Sequence, residues 1–188
     1  MNRVHRWLCR TEHWDREVRE IIMPWVLGGL NLGRDVLEIG PGPGLTTNVL
    51  CKKVAHLTAI EIDPALASSL HQRMQGSNVD VVEGDATAMP FPDEKFSAAV
   101  SFTMLHHVPS PHLQDKLLKD VYRVLMPGGI FVGVDSLQSL FMRFLHIGDT
   151  LVPIDPKRLP DRLLSAGFAD IAVETGDHRF RFQARKPN

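Results

Sequence analysis

Cysteine is scarce in this sequence, and long apolar runs are absent. The two cysteines, Cys9 and Cys51, have neither metal-ligand spacing nor the pattern of a disulfide framework. No stretch approaches the roughly 18 consecutive apolar residues of a membrane span. Residues 1–7 also lack the apolar run of a signal peptide. We therefore expect reduced thiols in a cytoplasmic protein that does not insert into a membrane.

An excess of one charge is missing as well. The formal net charge of the 188 residues is −1, whereas nucleic-acid-binding domains usually carry a strongly basic face. We therefore expect no nucleic-acid partner. The chain has the length of one domain, and its 44% of hydrophobic residues is ordinary for a globular core.

Short β-branched runs alternate with stretches of helical periodicity from residue 35 onward. This alternation predicts parallel strands joined by helical crossovers. Near the end, Gly176 and Asp177 form a hairpin turn signal, and Arg179 and Arg181 are expected on a solvated strand face. The predicted strands are residues 35–39, 57–62, 79–83, 96–102, 130–134, 171–175 and 180–184.

Two dipeptides are typical of helix starts. Asp63-Pro64 and Ser110-Pro111 each place a capping side chain before a proline at the first helical position. A further helix is predicted across residues 45–54, where apolar residues recur at helical spacing.

The sharpest signal is the glycine loop at residues 40–44, which follows the first strand and precedes a helix. Gly40, Gly42 and Gly44 allow a sharp turn and a close approach of a ligand to the backbone. A dinucleotide-binding loop would carry a third glycine at the position of Leu45. The loop alone is weak evidence for a dinucleotide and equally weak evidence for a different ligand.

Acidic residues near the loop indicate whether a dinucleotide or a different ligand fits there. Glu38 lies beside the loop, Glu61 ends the second strand and can accept hydrogen bonds from a ribose, and Asp85 ends the third. Such negative charge is unfavourable for a pyrophosphate. It suits a cofactor with a sulfonium, an ammonium and a ribose, which favours S-adenosylmethionine over NAD.

These residues resemble the class I S-adenosylmethionine-dependent methyltransferases, the small-molecule type included. Residues 36–44 resemble the first motif of that family, residues 59–64 its acidic second motif, and residues 84–86 its adenine-binding segment. Further matches follow at residues 101–108, 123–129 and 164–168. The resemblance implies a Rossmann-like α/β fold with a doubly wound, mostly parallel seven-stranded sheet, in the order 3-2-1-4-5-7-6, whose last strand is antiparallel.

The resemblance also implies roles in binding S-adenosylmethionine and its product, S-adenosylhomocysteine. The three loop glycines would hold the methionine part, and Ser101 its amino group through a backbone carbonyl. Glu61 would bind the ribose. The adenine would contact Ile62, Asp85 and Ala86.

The acceptor side of the site is less defined. His106 and His107 can supply a general base, although the sequence favours the alternative that they shape the loop. His146 and Asp149 form a second candidate base, although the commoner explanation of such residues is that they are polar residues on the surface. Trp14 and Phe141 can line an apolar acceptor site or simply belong to helices that cover the sheet.

The sequence thus predicts one methyltransferase domain, active as a monomer or homodimer on a small, apolar or aromatic acceptor. Its parts would be a helical cap at 1–30, a cofactor-binding core at 35–135, an inserted lid at 136–158, and a C-terminal helix and hairpin at 159–188. No metal is expected. The alternatives are a non-catalytic S-adenosylmethionine-binding protein, an rRNA or protein methyltransferase, and an NAD-dependent oxidoreductase. The first half also resembles rRNA adenine dimethyltransferases, but residues 101–104 lack their target-adenine motif.

Overall fold

A computed structural model describes residues 11–188, apart from the side chains of Glu12, Phe141, Met142 and Leu145. Within this part of the chain, seven strands form one sheet. The strands are β1 (Asp35–Ile39), β2 (His56–Glu61), β3 (Val79–Glu83), β4 (Phe96–Phe102), β5 (Leu125–Ser136), β6 (Ala169–Thr175) and β7 (Arg179–Arg185).

The strand order is β3-β2-β1-β4-β5-β7-β6, and β7 runs antiparallel to both of its neighbours. This confirms the predicted fold class. Central β1 is apolar on both faces, since Val36 and Leu37 are fully buried although they point in opposite directions. Edge strand β3 instead carries exposed Asp80 and Glu83.

Helices cover both faces of the sheet. On one face, Leu117 and Leu163 belong to the same buried cluster as Phe131 of β5. On the other face, Ile22 and Leu70 belong to the same buried cluster as Val132 of β5. A π-helical turn (Val18–Ile22) joins α1 to α2, and a 3-10 turn (Leu105–His107) follows β4. The helices are α1 (Glu12–Glu17), α2 (Met23–Leu27), α3 (Thr47–Leu50), α4 (Pro64–Met74), α5 (Pro111–Val124), α6 (Leu140–Leu145) and α7 (Leu159–Ala166).

The capping signals act as expected. The Asp63 side chain accepts hydrogen bonds from the first amides of α4, and the Ser110 hydroxyl accepts one from the Leu113 amide at 3.2 Å. The helix predicted at residues 45–54 is shorter than expected. After Leu50, the amides of Lys52 and Lys53 bond to carbonyls three residues back, so the chain continues in tight turns.

Residues 137–158 form a segment that crosses the carboxyl ends of the strands. It is fixed at one end by the Leu137 amide bonding to the His178 carbonyl. At the other end the Val152 amide bonds to the His106 carbonyl at 2.8 Å, and Ile154 is buried. Between these points, Leu140, Phe144 and Ile147 are exposed. The division into cap, core, lid and hairpin remains a prediction, and residues 1–10 of the cap lie outside the described part.

The N-terminal helices pack against β7, which differs from the solvated strand face that we expected. Arg179 forms an ion pair with Glu17 at 2.6 Å, and its guanidinium lies 5.9 Å from the Trp14 ring centroid. Arg181 donates to the Trp25 carbonyl and lies over the Trp25 ring. Sequence periodicity could not reveal this, because α1 and β7 are far apart along the chain.

No helix of residues 11–188 combines the length and the apolar character that crossing a membrane requires.

Candidate functional site

The glycine loop connects β1 to α3 in a conformation that favours glycine. Gly40, Gly42 and Gly44 have φ angles of 65°, 55° and 83°. A Cβ added to Gly40 would lie 2.2 Å from Cγ of Met104. Met104 thus occupies the space beside Gly40, whereas a Cβ added to Gly42 would meet no described atom within 4 Å, which leaves the middle of the loop accessible to a ligand.

Glu61, at the end of β2, reaches the middle of this loop. One of its carboxylate oxygens accepts a hydrogen bond from the Gly42 amide at 2.9 Å, and the other accepts from the Asp63 amide at 3.0 Å. The residue is 6% exposed. A carboxylate held in this way can also accept hydrogen bonds from a ligand diol.

Glu38 lies beneath the loop rather than in the wall of the adjacent cavity. Its carboxylate accepts hydrogen bonds from the hydroxyls of Thr46 and Thr47, the second at 2.6 Å. Burial raises the pKa of Glu38 to about 7, against the opposing effect of these two bonds. Sequence reasoning missed both threonines. Their signal is a hydroxyl residue one and two positions after Leu45, where the loop begins to turn into α3.

A cavity of about 420 Å³ opens beside the loop, at the carboxyl ends of the strands. Most of the predicted cofactor residues border it, whereas buried Ser101 lies behind it and Phe102 and Thr103 form that part of the wall. The predicted residues that line the cavity are Gly40, Gly42, Glu61, Ile62, Asp85 and Ala86.

The rest of the cavity wall is largely apolar. Trp14 of α1 lines it, as the sequence suggested, while the side chain of Phe141 lies outside the described residues. Val18, Ile22, Phe102, Met104 and Leu113 also belong to this apolar part.

Three histidines gather beside the cavity. His106 and His107 follow β4, and His146 comes from the segment that crosses the strand ends. The ring centroids are 4.3 Å apart for His106 and His107, and 5.1 Å from each of these to His146. His107 lines the cavity together with Asp149. His106 and His146 are buried behind it, at 2% and 3% exposure.

Asp135 of β5 fixes His106. Its two carboxylate oxygens contact the His106 ring Nδ1 at 2.5 Å and the His106 backbone amide at 3.2 Å. Burial alone would lower the pKa of His106, but the nearby carboxylate of Asp135 outweighs burial and raises it. Sequence reasoning missed Asp135; its signal is an acidic residue at the end of the apolar run of β5.

Comparison with known proteins identifies the family. A family model described as "Methyltransferase domain" matches residues 37–133, more than half of the chain. The chain belongs to this methyltransferase domain family. The membership confirms the predicted family and its cofactor, S-adenosylmethionine.

Relatives within the family are named for different acceptors. The chain is 30% identical to a ubiquinone biosynthesis O-methyltransferase of Pseudomonas fluorescens over 139 residues, which is 67% of this chain and 56% of that protein. It is 41% identical to a probable ribosomal RNA small subunit methyltransferase A of Methanothermobacter thermautotrophicus over 81 residues, 38% and 30% of the two chains. The chain thus spans about half or less of these two relatives.

The fold itself recurs almost completely in solved structures. A protein from Pyrococcus horikoshii superposes with a TM-score of 0.78 at 17% sequence identity, covering 95% of this chain and 93% of that one. At this identity the likeness concerns the fold alone.

Proposed function

We propose that this chain transfers a methyl group from S-adenosylmethionine to a small, apolar or aromatic acceptor. The observation that carries the proposal is the single cavity that borders both the glycine loop with Glu61 and the apolar wall around Trp14. Donor and acceptor would therefore meet in the same cavity, where proximity and alignment supply much of the rate.

The charge of the cavity supports this donor. Glu61, Asp63, Asp85 and Asp149 are among the described residues that line it, and no lysine or arginine is among them. This balance suits a sulfonium and an ammonium, and opposes the pyrophosphate of NAD. The open space beside Gly42, where an added Cβ would meet no described atom within 4 Å, would accommodate the methionine part of the donor.

In the proposed reaction the chain mainly binds and orients. When bound, S-adenosylmethionine supplies an activated methyl group, and S-adenosylhomocysteine leaves as the carbon–sulfur bond breaks. Glu61 would hold the ribose with the two carboxylate oxygens that also accept hydrogen bonds from the Gly42 and Asp63 amides. Trp14 and Phe102 would exclude water from the acceptor side. His107 faces the cavity and would take the proton of an acidic acceptor.

An oxygen atom on an aromatic ring is the acceptor that we favour. The Pseudomonas relative is named for O-methylation in ubiquinone biosynthesis, and an apolar wall suits a ring. The ribosomal RNA relative makes RNA the competing acceptor, but the acidic cavity opposes a phosphate backbone. The predicted monomer or homodimer remains a prediction.

Cofactor binding is the first test, measured by calorimetry on the wild type and two variants. Glu61→Gln should weaken binding of S-adenosylmethionine about 10- to 100-fold, because hydrogen bonds to charged groups contribute roughly 1.5–3 kcal/mol. Glu83→Gln, which removes an exposed carboxylate from edge strand β3, should leave it unchanged. Equal affinities in all three proteins would contradict the role of Glu61.

Acceptor choice is then tested by mass spectrometry on phenols, catechols, prenylated hydroquinones and small-subunit ribosomal RNA. Methylation of a small ring compound, with a raised KM and an unchanged cofactor affinity in Trp14→Ala, is the expected result. Methylation of RNA alone would refute the proposed acceptor. Cofactor binding without turnover on any acceptor would favour a non-catalytic binding protein.

A further inference from the structure

The three histidines have the geometry of a metal site. A ligand nitrogen from each of His106, His107 and His146 lies within 4.8 Å of the other two. Tetrahedral Zn²⁺ with bonds of about 2.0–2.1 Å to nitrogen requires nitrogen–nitrogen separations of about 3.3 Å. Small rotations of the three side chains would therefore bring the nitrogens to bonding distance.

The second, independent observation is the state of the His106 ring. Because Asp135 contacts Nδ1 at 2.5 Å, the proton is directed to Nδ1 and the lone pair to Nε2. His106 Nε2 is buried and has no hydrogen-bond partner among the residues that the structure describes. A buried polar atom without a partner is costly, and a metal ion would satisfy it.

Asp135 also completes a known arrangement around metal-binding histidines. Such histidines almost always donate their other ring N–H to a carboxylate or carbonyl, which fixes the ring and makes the ligand more basic. Asp135 is fully buried and accepts further hydrogen bonds from the His106 and Ser136 amides, so its own position is fixed. Its negative charge would also offset part of the charge of the ion.

The site is adjacent to the cavity rather than isolated in the core. His107 lines the cavity, and Asp149 and Thr150 form the wall on the same side. Three protein ligands with a fourth position open to a pocket are typical of catalytic metal sites, whereas structural zinc sites have four protein ligands.

We propose that His106, His107 and His146 bind one divalent transition-metal ion, with Zn²⁺ the favoured ion, and that its open position faces the acceptor. Neutral imidazoles are the common ligands of Zn²⁺, and a site of nitrogen ligands does not suit Mg²⁺ or Ca²⁺. This proposal differs from the expectation that the site holds no metal. It also deepens the proposed function: His107 would bind the ion instead of acting as the base, and an acceptor hydroxyl bound to the ion would lose its proton to solvent more readily. Its oxygen would then attack the methyl carbon as the carbon–sulfur bond of S-adenosylmethionine breaks. This last step rests on the proposed function; the binding of the ion does not.

Metal binding is tested without cofactor or acceptor, on tag-free protein freed of metal by a chelator. We expect one Zn²⁺ per chain, measured by competition with a chromophoric chelator, and a visible absorption spectrum of four-coordinate Co²⁺. His146→Ala should weaken Zn²⁺ binding at least 100-fold. His112→Ala, which removes an exposed histidine at the start of α5, should not change it.

A second variant separates a metal site from a merely structural cluster. Asp135→Asn should still bind Zn²⁺, but about 10- to 100-fold more weakly, as observed when such supporting groups are removed. His107→Ala repeats the test at a half-buried position if His146→Ala fails to fold. Wild-type protein that binds no Zn²⁺, or binds it equally well in the His107 and His146 variants, overturns the proposal.

The catalytic part has its own readout. Once a small hydroxylated acceptor is known, chelation should abolish turnover and added Zn²⁺ should restore it, with unchanged affinity for S-adenosylmethionine. Turnover that is insensitive to chelation would refute the acceptor-binding role and leave the metal site standing. Failure of methylation on every acceptor would refute the proposed function without affecting the Zn²⁺ titration.

Discussion

Glu38 should make the stability of this protein depend on pH in an unusual direction. Folding raises its pKa from 4.5 to about 7, chiefly because the carboxyl is removed from water. Below pH 4.5 both states are protonated. As the pH rises above 4.5, the Glu38 carboxyl ionises in the unfolded chain but not yet in the folded protein. The free energy of unfolding therefore falls until the pH passes the folded pKa of about 7. At 1.36 kcal/mol per pH unit, the loss amounts to about 3 kcal/mol.

Glu38→Gln tests this value because the amide keeps the size of the side chain and can still pair with Thr46 and Thr47. Urea denaturation at 25 °C, without cofactor, gives the unfolding free energy of both proteins at several pH values from 4 to 8. The free energy of the variant minus that of the wild type should rise by about 3 kcal/mol across this range. The contributions of the other titrating groups to the free energy of unfolding cancel in this subtraction.

A matched control is Glu83→Gln, since Glu83 is exposed on edge strand β3. Its difference from the wild type should stay nearly constant over the same pH range. If the Glu38→Gln difference is equally constant, or falls with pH, then the carboxyl is not held in its neutral form and the reasoning from burial is wrong.

Two predictions concern packing and capping. In Gly133→Ala the new Cβ would lie 2.4 Å from the Ser101 carbonyl oxygen and 2.7 Å from the Phe182 ring, so we expect a loss of about 1–3 kcal/mol by urea denaturation. In the control variant Gly176→Ala, the new Cβ would lie 3.5 Å from its nearest atom, so the free energy of unfolding should change by less than about 0.5 kcal/mol. Equal losses of stability in the two glycine variants would refute the packing argument. Ser110→Ala should cost about 1 kcal/mol and Ser110→Gly only a few tenths, because the hydroxyl caps α5; the reverse order would contradict the capping role.

The sequence predicts those parts of the fold that depend on neighbouring residues. The caps at Asp63 and Ser110 and the turn at Gly40 follow from local chemistry, so their positions are read directly. The central strands follow from runs that are buried on both faces. The strand order follows only from the family resemblance, because periodicity does not say which strands pair.

The residues that gather around the glycine loop were predictable from the sequence, whereas the histidine cluster beside the cavity was much less so. Glu61 lies at a strand end that motif spacing identifies. His106, Asp135 and His146 come together only because β4, β5 and the crossing segment meet at one edge of the sheet. No pattern within the sequence shows that residues so far apart along the chain lie together. The burial of Glu38 also could not be predicted, because it depends on how the glycine loop packs over the side chain.

The contacts of β7 have a consequence for synthesis on the ribosome. This strand follows every other strand and helix of the described chain, yet it lies between β5 and β6 and holds α1 through Arg179. A nascent chain that ends before β7 leaves β5 with an unpaired edge, which is a template for aggregation. It also lacks the ion pair between Glu17 and Arg179 beside Trp14, on the wall of the cavity. The contacts that hold α1 beside this cavity can therefore form only after β7 has left the exit tunnel.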